Sequence, residues 1–197
     1  MHKIAALFIE NNSIYKGYDF IDCYDKDRDA RSYNLDLPVI AHPPCQLWGS
    51  LSFVNYKRWG GDHNKPGNDG GLFEFALNTV RRCGGVLEHP ANSRAWNKYS
   101  LIKPDGVGWQ KCLDGGWVCE VWQSAYGHLA NKATWLYCIG EPVKARTETP
   151  AGSHQIGGEC TQGKVNNNKP TLKKSEVNKT PQEFAEFLIE IALKQTE

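Results

Sequence analysis

Cys45 follows two prolines in the stretch Ala41-His42-Pro43-Pro44-Cys45-Gln46, at the end of the apolar run Pro38-Val39-Ile40-Ala41. Prolines fix φ and remove amide donors, so a strand over that run has to stop there and Cys45 stands on a stiff loop at its carboxyl end. A thiol held in this way is a candidate nucleophile. The other reading is a merely buried thiol, since free cysteine is among the most buried residue types. Glu88 ends a second apolar run, Val86-Leu87, and a carboxyl group at a strand end is a candidate general acid. The other reading is a structural carboxylate that orders the segment from Pro90 to Trp96. If the two strands are parallel neighbours, both side chains lie at the carboxyl edge of one sheet, where open α/β sheets bind ligands.

The elements that must position this pair are readable from periodicity. Lys3 to Ile9 and Phe20 to Tyr24 are apolar runs of strand length, and Trp117 to Trp122 and Thr134 to Ile139 are rich in aromatic and β-branched residues. Apolar spacing predicts a helix over Leu72 to Arg82, ended by Gly84-Gly85. Thr180-Pro181-Gln182-Glu183 reads as a capping box with proline at the first helical position, opening an amphipathic helix that runs to about residue 195. Tyr99 to Gly116 reads as irregular, and 141–179 as an extended polar loop region. Leu47 to Gly71 reads as a loop in which Lys57 and Arg58 lie between Tyr56 and Trp59. That is either a lid or nucleic-acid contact, or a surface loop with its aromatics folded inward. Together these segments predict a single α/β domain over 1–197, in three layers around a mostly parallel sheet.

Several short motifs share an order along the chain. Pro43-Pro44-Cys45-Gln46 resembles the nucleophile motif of the DNA cytosine carbon-5 methyltransferases, and Leu87-Glu88-His89-Pro90 resembles their Glu-Asn-Val or Glu-Asn-Pro motif. Asp25-Lys26-Asp27-Arg28-Asp29-Ala30 is similar to an acid-x-Asp-x-x-Ala stretch whose first acid holds the cofactor ribose. Tyr126-Gly127, with Lys132, Thr134 and the run Trp135 to Ile139, is similar to a late Tyr-Gly motif carrying Arg-x-Arg. The likeness is closer still to small methylase-like proteins of phages and prophages, with Trp122-Gln123, Gly127-His128 and Lys132-Ala133-Thr134 as matching pieces.

The resemblance implies a Rossmann-like, methyltransferase-like sandwich and a cytosine-modifying enzyme. Cys45 would add to the pyrimidine ring and Glu88 would serve ring nitrogen 3 as its acid. His42, Pro43, Pro44, Gln46 and Lys132 would contact substrate, and Asp25 and Asp27 would hold S-adenosylmethionine. The family's Phe-x-Gly-x-Gly loop would fall on Glu10 to Gly17, where its glycines are absent. The second arginine of the late motif is replaced by Thr134, and Lys132 offers a point charge rather than a bidentate fork. Lys132 reads equally as an exposed hairpin lysine, and Asp25 as a solvated turn carboxylate. The alternative function is a binding protein for nucleic acid, nucleotide or protein, without turnover.

A net charge of +1 excludes a strong overall basic field, so any nucleic-acid contact must rest on a local patch. Seven cysteines without regular spacing do not form a disulfide framework, and a reduced cytoplasm, that of a bacterial host for a phage protein, is the expected setting. His154 with Cys160 is too isolated for zinc, so no metal is expected. Nucleic acid or a nucleotide is the expected partner, with a further protein as a candidate source of specificity and no membrane involved.

Overall fold

The structure, a computed structural model, describes residues 2–49, 51–156 and 168–196. Cys160, Gly157 and Gly158 lie outside the described residues. Strands β1 (Ile4–Leu7), β2 (Ile21–Tyr24), β3 (Val39–Ala41), β4 (Gly85–Pro90), β5 (Gln110–Lys111), β6 (Trp117–Trp122) and β7 (Ala133–Ile139) form one seven-stranded sheet in the order β2-β1-β3-β4-β7-β6-β5. The helices among the described residues are α1 (Ser52–Trp59), α2 (Leu72–Cys83), α3 (Arg94–Lys98), α4 (Lys174–Val177) and α5 (Gln182–Leu193).

Alternate residues of the strands serve opposite faces, as the two-residue side-chain period requires. Ile4, Ala6, Ile40, Val86, Leu136 and Cys138 pack with α5 through Phe184, Leu188 and Ile191. Ala5, Leu7, Val39, Ala41, Leu87 and Tyr137 pack with α2 through Phe73, Leu77 and Val80. Gly85 is held at φ 103, and a Cβ there would lie 2.1 Å from the Val39 carbonyl oxygen, so only glycine lets β3 and β4 approach so closely.

The mostly parallel, Rossmann-like and methyltransferase-like sandwich expected from the sequence is corrected here. β2, β1, β3 and β4 are joined in parallel. The pairs β4–β7, β7–β6 and β6–β5 are antiparallel, and the first two run over six residues each, against three or four in the parallel pairs. For β5, β6 and β7 the cause lies in the connections. The segments 112–116 and 123–132 hold no crossover helix to carry the chain back across the sheet, so the strands they join must pair as neighbours running in opposite directions.

Two local expectations also change. Leu47 to Gly71 is not all loop, since α1 occupies Ser52–Trp59. The capping box before α5 does not form: Pro181 is the N-cap residue without a side-chain cap, and Glu183 instead accepts from Arg146 Nη1 at 2.5 Å.

Candidate active site

Cys45 is fixed by its own backbone. After β3, the His42 amide donates to the Leu7 carbonyl at 3.0 Å, and the prolines that follow have no amide to offer. The Cys45 carbonyl then accepts from the amides of Trp48 at 3.0 Å and Gly49 at 3.2 Å, closing a turn. Trp48 is buried and donates its indole N–H to Asp69 Oδ2 at 2.9 Å, which anchors the turn to the start of α2. The thiol is half-buried. Burial pushes its pKa up and Glu88 pushes it further, against the pull of Lys132, so Cys45 rests as a thiol.

Glu88 lies on β4, opposite Leu136 of β7, and is buried. Its carboxylate accepts from His42 Nδ1 at 3.0 Å and from Gln123 Nε2 at 3.2 Å. Burial pushes its pKa up, but the His42 hydrogen bond and the charge of Lys132 outweigh burial and hold it down to about 2. The partners are oriented in turn. Gln123 Nε2 also donates to Thr134 Oγ1 at 3.0 Å, and a carboxylate can only accept, so the amide nitrogen must face Glu88. With Nδ1 facing the carboxylate, His42 Nε2 is left to accept from the Tyr15 hydroxyl at 3.1 Å. Burial, followed by Glu88, raises the Tyr15 pKa well above its ordinary value, which keeps that hydroxyl a donor. Protons therefore point along one chain, from Tyr15 through His42 to Glu88.

The structure brings Cys45, Glu88, His42 and Lys132 together, the charge of Lys132 acting on both Cys45 and Glu88. Pro43 is buried, Pro44 is half-buried beside Cys45, and Gln46 is exposed. Sequence reasoning gave no role to Tyr15 or Gln123 and treated Thr134 only as a lost arginine. Gln123 carried a signal, because it stood in a quoted motif between β6 and β7. Tyr15 carried none, since its partner is 27 residues away in sequence.

Asp25 and Asp27 follow β2, at the edge of the sheet. Asp25 is paired with Lys16 and also accepts from the amides of Asp27 at 2.9 Å and Arg28 at 3.1 Å. Asp27 accepts from the Asn11 side chain at 3.1 Å. A 3₁₀ turn over Ile14–Gly17, capped by Ser13, fills the place of the expected glycine loop and buries Tyr15. A ribose acid needs free oxygens and a backbone that approaches closely. These residues do not fit S-adenosylmethionine in the manner the resemblance implies.

Among the described residues no cluster of three or more histidine, cysteine or carboxylate side chains could hold a metal ion, and no helix is long and apolar enough to cross a membrane. No protein-family model matches the chain, and no curated protein shows significant similarity to it.

Proposed function

We propose that the chain attacks a cytosine base through a covalent adduct at Cys45 and thereby exchanges its carbon-5 hydrogen. The observation that carries this reading is a carboxylate, Glu88, locked as an anion by His42 and Gln123 on the strand beside the one that delivers the thiol. Glu88 is then an acceptor rather than the resting acid expected from sequence. It stabilises the positive charge on ring nitrogen 3 once that nitrogen takes a proton from solvent. Cys45 loses its proton to solvent and its sulfur bonds to carbon-6. The electrons of the carbon-5 to carbon-6 double bond move toward nitrogen 3, leaving carbon-5 nucleophilic. Carbon-5 takes a proton from water, and reversal of the steps returns the base with its carbon-5 hydrogen exchanged. The reaction stops at exchange, because the residues around Asp25 and Asp27 do not fit the methyl donor.

Exchange supplies the test. An oligonucleotide or nucleoside carrying tritium at cytosine carbon-5 should release it to water with the wild type, and release should vanish in Cys45→Ala. A second reading, binding without turnover, is favoured by the raised thiol pKa and the occupied Asp25. Retained binding with no tritium release from a folded protein would select it.

A further inference from the structure

Helix α1 buries only Ser52. Phe53 is 56% exposed and Trp59 69% exposed, although covering such side chains would stabilise the fold. The same eight residues contain no acid and carry Lys57 and Arg58 in the last turn. A guanidinium lies over each exposed ring: Arg94 is 5.1 Å from the Phe53 centroid and Arg58 is 5.1 Å from that of Trp59. An isolated helix of this length is unstable, so the turns at its two ends hold a surface that does not pay for itself by burial.

Its position gives that surface a use. α1 follows the Cys45 turn, with the Ser52 amide bonded to the Gly49 carbonyl at 3.1 Å and the Gly49 amide bonded to Cys45. Arg94 opens the helix that follows β4 and Glu88, and its amide donates to the Trp48 carbonyl at 3.0 Å. The patch is thus built from the chain as it leaves both halves of the candidate site.

We infer that α1 with Arg94 is a stacking platform for a single strand of nucleic acid running past Cys45. This deepens the cytosine-modifying reading and rests on it for the direction of the strand. Phe53 and Trp59 stand six residues apart, about 9 Å along the helix axis, with the half-buried Tyr56 between them, so each exposed ring offers a separate face to an unstacked base. Lys57 and Arg58 supply charge for the phosphates between them. A free nucleotide would engage one ring at most, and a duplex hides the base faces that the rings need.

The probe is a fluorescein-labelled oligodeoxynucleotide about a dozen nucleotides long, compared with its duplex by anisotropy. The wild type should bind the single strand well above the duplex. Phe53→Ala and Trp59→Ala should each weaken it about tenfold, as expected for a lost stacking contact. Lys57→Gln and Arg58→Gln should each lower the slope of log affinity against log salt by about 0.7. These residues are exposed, so the variants should melt like the wild type. Equal affinity for the duplex, wild-type binding by both alanine variants, or retention on anionic vesicles without oligonucleotide binding would overturn the platform. Tritium release from free 5-tritiated deoxycytidine separates the two ideas. Release that persists while α1 variants bind strands normally removes the platform and keeps the chemistry, whereas α1-dependent binding without release keeps the platform and removes the chemistry.

Discussion

Two donors on one buried carboxylate make Glu88 a fixed charge, and the consequences can be assigned residue by residue. Glu88→Gln keeps the shape but sets an amide N–H₂ against one of the two donors, His42 Nδ1 at Oε2 or Gln123 Nε2 at Oε1, while its carbonyl oxygen still accepts from the other. Tritium release should fall by about a hundredfold or more, as for a lost electrostatic stabiliser, with base binding reduced far less. An unchanged rate per folded molecule would take Glu88 out of the chemistry. His42→Ala removes one donor from a buried anion and should cost about 2 kcal/mol in urea unfolding, while Tyr15→Phe removes only the bond behind it and should cost about 1 kcal/mol. If His42 positions Glu88, its loss should also move the acidic limb of the release profile to higher pH, a change that a purely structural role would not produce. Cys45, Glu88, His42 and Lys132 were legible in the sequence because local motifs placed them at strand ends. Tyr15 left no mark in the sequence and Gln123 only a motif without a role, because their contacts exist only once β1, β3, β4, β7 and β6 are assembled in that order.

α2 was legible for a physical reason: Phe73, Ala76, Leu77 and Val80 form a buried stripe at helical spacing, and the sequence bounds miss its end by one residue. α1 was illegible for the opposite reason, since its rings face solvent and leave no stripe. What holds the start of α2 also holds the Cys45 turn. Asp69 accepts from the amides of Gly71 at 3.0 Å and Phe73 at 2.8 Å as well as from Trp48. Asp69→Ala therefore uncaps a helix and leaves a buried indole N–H unpaired, for an expected loss of about 2 kcal/mol. Asp69→Asn keeps one acceptor oxygen and should recover part of that loss. Denaturant melts beside tritium release check the coupling: if the turn depends on this cap, release per folded molecule falls in the alanine variant. Unchanged release would show that Trp48 positions Cys45 without Asp69.

β4 is the seam of the whole molecule, paired in parallel with β3 on one side and antiparallel with β7 on the other. The sequence located most of these strands but not their directions, because an apolar run reads the same both ways and only the connections decide. Two adjacent ionisable residues are buried in that seam. Burial pushes His89 down to about 4, against the attraction of Glu88, and Glu88 itself is held at about 2. Both pKa values are depressed in the folded state, so for both the unfolded chain binds more protons in acid and stability falls as pH falls. The His89 contribution is complete above its ordinary 6.5 and is lost on the way down to about 4; that of Glu88 is complete above 4.5 and is lost toward about 2. Each shift lowers stability in acid by an amount on the order of a few kcal/mol, a sizeable share of the stability of an ordinary domain. Unfolding free energy measured in urea should be level above about pH 6.5 and then decline in two overlapping limbs. His89→Phe, which keeps a ring between Phe73 and Trp96, should erase the upper limb and leave the lower one in place. A wild-type curve that stays level down to pH 4.5 would mean that His89 takes up its proton without strain, and that the seam of the sheet is open to water.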